Sequence, residues 1–215
     1  MYKIWAILPV KSLAQTKSRL TAVLTSTERA ELTQLLVRRT LAILQDVPTI
    51  HEVVVVSRDQ QIAQIAKQAH VFCIPEALGN GLNQAVQKGY AFVSQQDAAF
   101  ALIIPSDLAF LTPADITAVC QQASQGEAII APDQLEDGTN ALLLPTGLDF
   151  WFQYGRFSSQ KHISEAQRHG LHPQIIRRPN LQFDLDTVQD FTLYQNQQTT
   201  TNHQFKQNLT HPCQS

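Results

Sequence analysis

No long apolar run interrupts this 215-residue chain, so nothing in it reads as a bilayer-spanning helix and no membrane partner is expected. The opening stretch from Met1 to Val10 is apolar but short and broken by Pro9, without the longer core and small-residue cleavage site of a secretory leader. Cysteine is scarce: Cys73, Cys120 and Cys213 are odd in number and form no C-x-x-C. That argues against a disulfide framework and a cysteine-held zinc site, and favours a reducing, cytoplasmic compartment. A basic excess is also missing. With a net charge of -2 and a pI near 6.4, the chain has no footprint for tracking a phosphate backbone, so nucleic acid is not an expected partner. Neither G-x-x-x-x-G-K-S/T nor G-x-G-x-x-G follows the first apolar run, so a P-loop hydrolase and a dinucleotide oxidoreductase both lose support.

What is present suffices for one core. A hydrophobic fraction of 44% with 16% charged residues is ordinary for a folded, soluble domain. One domain is expected over residues 1–195, followed by a polar tail, 196–215, rich in Gln, Asn and Thr, that frays or covers a surface. Short branched-apolar runs at Ile4 to Leu8, Val53 to Val56, Val71 to Ile74, Phe100 to Ile104, Ala128 to Ile130 and Ala141 to Leu144 read as strands. Between the first two, Leu32, Leu35, Leu36, Leu41 and Leu44 fall near helical spacing, and Thr25 with Glu28 suits a capping box. Further helical patterns at Gln60 to Gln68, Leu82 to Val93 and Pro113 to Ala123 alternate with the strands. The alternation predicts an α/β sandwich around a mostly parallel sheet, with ligands beyond the carboxyl ends of the strands.

Five places there could carry chemistry. Lys11, Lys17 and Arg19 crowd the loop after the first strand, where a triphosphate would find its charge neutralised, although basic loop residues are often merely solvated. Gly79-Asn80-Gly81-Leu82-Asn83 opens a helix; Asn83 has the paired donor and acceptor to read a purine, while the plainer alternative is a turn capped by Asn80. Asp107 follows a wholly apolar strand and is placed to hold Mg²⁺ against phosphates, or else to shape a turn. Asp137-Gly138-Thr139-Asn140 and Tyr154-Gly155-Arg156-Phe157-Ser158-Ser159, with His162 beyond, bring glycine turns and hydroxyls that suit a phosphate or carboxylate, Ser158 also being an ordinary helix cap. Finally, Asp184 and Asp186 flank Leu185. In an extended segment the two carboxylates point the same way and Leu185 faces inward, a pairing with Asp107 that a divalent cation would neutralise. Thr187 and Asp190 also read as a cap.

Taken in order, Pro9-Val10-Lys11, Lys17-Ser18-Arg19-Leu20, Gly81-Leu82-Asn83, Pro105-Ser106-Asp107-Leu108, Gly138-Thr139-Asn140-Ala141-Leu142, Gly155 with Ser158 and His162, and Asp184-Leu185-Asp186-Thr187 resemble the 2-phospho-L-lactate guanylyltransferase family, which includes phosphoenolpyruvate guanylyltransferases. The likeness runs from the first strand to about Tyr194. It implies a three-layer, Rossmann-like nucleotidyltransferase sandwich with a mixed sheet, and a step in making coenzyme F-420. It further implies transfer of GMP from GTP to a small phosphorylated carboxylic acid, with Mg²⁺ gathered by Asp107, Asp184 and Asp186, and the acceptor held by Thr139, Gly155 and Ser158. Two departures stand out. Ser106-Asp107-Leu108-Ala109 replaces the family's usual Ala-Asp-Leu-Pro, and Asp137-Gly138 replaces a glycine pair. Competing readings are a nucleotidyltransferase with another nucleotide or a sugar phosphate, a glycosyltransferase on a related sheet, and a non-catalytic nucleotide-binding regulator. A homodimer is compatible with an exposed helix or sheet edge but not demanded by the sequence.

Overall fold

Alternate residues of the first strand, β1 (Ile4–Pro9), are buried on opposite sides. Ile4, Ala6 and Leu8 join one apolar cluster, Trp5 and Ile7 another, the behaviour of a strand covered on both faces. In the computed structural model, which describes residues 2–76, 81–123 and 126–198, the chain continues through α1 (Ser26–Gln45), β2 (Ile50–Val56), α2 (Gln60–Gln68), β3 (Phe72–Ile74), α3 (Leu82–Ser94), β4 (Phe100–Ile103) and α4 (Pro113–Cys120). It is completed by β5 (Glu127–Pro132), β6 (Thr139–Pro145), α5 (Ser158–Arg168), β7 (His172–Ile175) and the one-turn α6 (Pro179–Gln182). Residues 188–198 are helical as well. None of the described helices is long and apolar enough to cross a membrane.

The strands form one sheet in the order β3-β2-β1-β4-β6-β5-β7. Only β6 runs against its neighbours β4 and β5; the remaining pairs are parallel. The expected α/β sandwich with a mostly parallel, mixed sheet is therefore what the chain adopts. One helical layer packs Val37 and Leu41 of α1, Ile62 and Ile65 of α2, and Ile116 and Val119 of α4 on the sheet. The opposite layer packs Val86, Tyr90 and Val93 of α3 and Ala166 of α5. Helix α3 lies so close to β1 that a Cβ on Gly89 would stand 2.5 Å from Ile7 Cγ2. The capping box at Thr25 and Glu28 forms, but Leu35 turns outward and is 53% exposed, so the buried stripe of α1 is narrower than its leucine spacing suggests.

Topology also decides where a ligand can bind. Parallel β1, β4 and β5 bring Pro9, Ile103 and Pro132 to one edge of the sheet, and antiparallel β6 begins at that edge with Thr139. Strand β7 was not legible in the sequence. Its residues His172, Pro173, Gln174 and Ile175 alternate between exposed and half-buried, because it is an edge strand paired with β5 alone.

Candidate active site

At that edge lies a cleft of about 630 Å³, lined among others by Lys11, Lys17, Arg19, Asp107, Thr139, Gly155, Ser158, Asp184 and Asp186. Residues drawn from five separated segments thus meet in one place. Each is held there by a particular device.

Lys17 sits at the start of a short 3-10 turn in the left-handed region, with φ 47°, an uncommon and costly setting for a side-chain-bearing residue. Thr16 anchors the turn on α1, its hydroxyl 2.9 Å from that of Thr33. The result is a lysine side chain only 5% exposed whose Nζ lies 2.8 Å from Asp107 Oδ2 and 2.9 Å from Asp186 Oδ1. Burial pulls its pKa down, but the two carboxylates outweigh burial and hold it above its usual value. Arg19 adds a longer ion pair to Asp186 at 3.8 Å.

The loop carrying Asp107 is fixed from behind by α1. Arg39 donates to the carbonyls of Leu108 and Leu111 at 3.4 and 2.6 Å, and Thr40 donates to that of Ser106 at 3.4 Å. The Leu185 N–H donates to the Asp107 carbonyl at 3.0 Å, tying the segment that bears Asp184 and Asp186 to this loop. Leu185 is fully buried in a cluster with Leu20, Leu36 and Tyr194, so Asp184 and Asp186 reach the cleft on either side of it, as expected. The plainer reading of the next residues holds too: Thr187 and Asp190 cap one another.

Asp184 has no ion-pair partner among the described residues. Burial first, then the charges of Asp107 and Asp186, push its carboxyl up to about 6. For Asp186 burial pushes the same way, but Lys17, Arg19 and Lys11 outweigh it and its pKa falls below the usual range. Three carboxylates offer the all-oxygen donor set that a hard divalent cation takes, and an unpaired, half-buried carboxyl is what such a cation would relieve. In this conformation, however, Lys17 Nζ stands between Asp107 and Asp186, and among the described residues no three carboxylate, thiol or imidazole groups are grouped as metal ligands.

Thr139, Ser158 and His162 form a buried unit, of which Thr139 and Ser158 line the cleft. Thr139 Oγ1 lies 3.0 Å from His162 Nδ1 and 3.2 Å from Ser158 Oγ. Ser158 does not cap its helix; the hydroxyl goes to Thr139, and the residue before α5 is Phe157 at φ 59°. Gly155, with φ 114°, takes a turn that other residues resist. Gly138 lies close to Asp133, whose Oδ2 would have to move aside for a Cβ that would stand 2.7 Å from it.

Two expected ligand-binding residues are engaged elsewhere. His162 is fully buried and outside the cleft wall, its Nε2 3.1 Å from the Gln153 N–H. Asn83 is not among the residues lining the cleft. Its Oδ1 accepts from Tyr154 N–H at 2.6 Å and its Nδ2 donates to the Tyr154 carbonyl at 3.4 Å, so both ends of the amide serve the backbone; Gly79 and Asn80 lie outside the described residues. With Glu165 accepting from Trp151 N–H and Asp137 from Phe157 N–H, four side chains satisfy an irregular loop that no strand supports. That loop brings Tyr154 and Arg156 into the cleft wall, and neither was singled out from sequence. Arg156, whose guanidinium lies 4.7 Å over the Phe157 ring, was signalled only by its place beside Gly155.

Comparison with known proteins identifies the family of the chain. The chain matches the family described as "Guanylyl transferase CofC like" over residues 4–210. It is 37% identical to a phosphoenolpyruvate guanylyltransferase from Rubrobacter xylanophilus over 87% of this chain and 91% of that one. It is 30% identical to a 2-phospho-L-lactate guanylyltransferase from Methanobrevibacter ruminantium over 88% and 84%. A nucleotidyl transferase structure from Methanothermobacter superposes with a TM-score of 0.68 at 11% identity, covering 93% and 99% of the two chains, which speaks for the fold alone.

Proposed function

Because this chain belongs to the CofC-like guanylyl transferase family, we propose that it transfers GMP from GTP to a phosphorylated three-carbon acid, phosphoenolpyruvate or 2-phospho-L-lactate, with release of pyrophosphate, a step in coenzyme F-420 biosynthesis. The observation that carries this reading is the lining of the cleft, where a lysine-carboxylate cluster and a pair of hydroxyls open onto one cavity.

In the reaction, a phosphate oxygen of the acceptor attacks the α-phosphorus of GTP. The new O–P bond forms as the bond from that phosphorus to the bridging oxygen breaks, and pyrophosphate carries away the electron pair. No side chain is needed as nucleophile. The protein aligns two anions and offsets their repulsion. Lys11, Lys17 and Arg19 face the triphosphate, while Thr139, Gly155 and Ser158 hold the acceptor. Asp107, Asp184 and Asp186 would hold Mg²⁺, which when bound supplies positive charge to the reacting phosphates.

The test is pyrophosphate release from purified protein given Mg²⁺, one of GTP, ATP or CTP, and one of phosphoenolpyruvate, 2-phospho-L-lactate or 3-phosphoglycerate. Release that requires both GTP and one of the acids supports the assignment and names the acceptor. Release with ATP or CTP alone, or none with any pair, overturns it.

A further inference from the structure

The hydroxyl pair facing the acceptor has a proton count that one fixed donor determines. A backbone N–H can only donate, so the Gln153 amide, 3.1 Å from His162 Nε2, requires that nitrogen to be bare. Burial, with the Lys161 charge adding to it, holds the imidazole neutral by lowering its pKa to about 4. The single ring proton therefore resides on Nδ1 and is donated to Thr139 Oγ1 at 3.0 Å.

Thr139 and Ser158 together own two hydroxyl protons. One lies in the 3.2 Å contact between them, where Ser158 Oγ donates to Thr139 Oγ1. Among the described residues no carbonyl or carboxylate accepts from either hydroxyl, and both residues line the cleft. One proton is thus left to donate to a ligand. Were the tautomer reversed, Thr139 would donate to Nδ1 and Ser158 to Thr139, both protons would be consumed, and the pair would offer only lone pairs.

We propose that His162 is a positioning residue that sets the polarity of the acceptor pocket: by donating to Thr139 it makes the Thr139–Ser158 pair a hydrogen-bond donor to an anionic group of the acceptor acid. This rests on the reading that the acceptor lies against these hydroxyls. The fixing group is Gln153, whose side chain takes no part. His162 itself never touches substrate.

Two measurements test the proposal. Correlation of ring nitrogens with ring protons in the ¹⁵N-labelled full chain at pH 7 should show His162 with Nδ1 protonated and Nε2 bare. A proton on Nε2, or on both nitrogens, overturns the proposal whatever the substrate turns out to be. The second is steady-state kinetics with GTP and phosphoenolpyruvate. His162→Gln places its amide near the Nε2 position and loses the donor to Thr139. It should raise the KM for the acid by about 10- to 100-fold, the loss of a hydrogen bond to a charged group, with the KM for GTP unchanged. His162→Asn, whose amide reaches the Nδ1 position, should recover most of that loss. Equal losses in both variants, or a parallel rise in the KM for GTP, would mark the histidine as merely structural. Lack of turnover in the unmodified enzyme tells against the reaction instead, and leaves the tautomer to decide the role of His162.

Discussion

Replacing Asp184 with asparagine should stabilise the cation-free protein while abolishing its activity. The carboxyl of Asp184 is raised from 3.8 to about 6, by burial first and then by Asp107 and Asp186, so the folded state holds its proton more tightly than the unfolded chain does. Between those two pH values the folded protein binds more protons, and stability falls as pH rises. Above about pH 6 the folded state carries the whole cost of an ionised, unpaired carboxylate, about 3 kcal/mol for a shift of roughly two pH units. Asp184 is only half-buried, so solvent screening reduces this to about 1–2 kcal/mol. An amide at that position carries no such cost. In thermal melts with EDTA at pH 8, Asp184→Asn should therefore melt above the unmodified protein, by roughly 2–8 °C for a domain of this size. The gap should close as the pH falls through 6 toward 4. Added Mg²⁺ should raise the melting temperature of the unmodified protein and do little for the variant. A variant less stable than its parent at pH 8, or a gap that ignores pH, would refute the electrostatic account of the cluster.

Further perturbations separate chemistry from scaffold. Asp107→Asn should leave melting within a few degrees and cut turnover about 100-fold or more, the scale of losing a group that stabilises transition-state charge; near-normal turnover would sink the assignment. Gly89→Ala should cost about 1–3 kcal/mol in urea unfolding, because its Cβ would press on Ile7 Cγ2 at 2.5 Å and Val56 Cγ2 at 3.0 Å, an overpacking that exceeds the gain in helix propensity. Arg178→Met should cost about 2–4 kcal/mol, since it strips the ion pair from Asp115, which is 1% exposed. Burial pushes the Asp115 carboxyl upward, but Thr112, Arg178 and Asn180 outweigh it and hold the pKa below 3.8. That stability is present above pH 3.8 and is lost as the pH falls below it, so the difference between Arg178→Met and its parent should shrink in acid.

Much of the fold was legible because its central strands are buried on both faces and read as short runs of branched apolar residues. All six strand expectations correspond to observed strands, with β2, β5 and β6 running beyond the expected ranges to Ile50–Val56, Glu127–Pro132 and Thr139–Pro145. The seventh, β7, escaped because an edge strand has no such run: its only branched residue is Ile175, and Pro173 weakens the pattern further. The strand-end rule also pointed to segments that the fold brings together around one cleft. Lys11 and Asp107 follow the carboxyl ends of β1 and β4, whereas Thr139 reaches the same edge by opening antiparallel β6, and the alternation of Asp184, Leu185 and Asp186 announced two carboxylates flanking a buried leucine.

The roles that could not be read are those of residues whose chemistry is ambiguous in type but fixed in direction by the fold. An asparagine amide or an imidazole suits a purine or a phosphate as well as it suits a backbone amide, and sequence order does not say which is nearer. Here Asn83 from α3 and His162 from α5 converge on adjacent residues, Tyr154 and Gln153, because their helices share one face of the sheet. Half-buried and without secondary structure, those amides need acceptors, and leaving one unmet would cost up to about 1–3 kcal/mol. Polar residues that resembled ligand-binding groups are thus spent one layer further back, holding the loop that bears Tyr154, Gly155 and Arg156. Substituting Asn83 with Asp tests this directly. The carboxylate still accepts from the Tyr154 N–H but repels the Tyr154 carbonyl, so loop geometry, and with it the KM for the acid, should suffer while selectivity for GTP over ATP stays as it was. Loss of that selectivity would return Asn83 to the base.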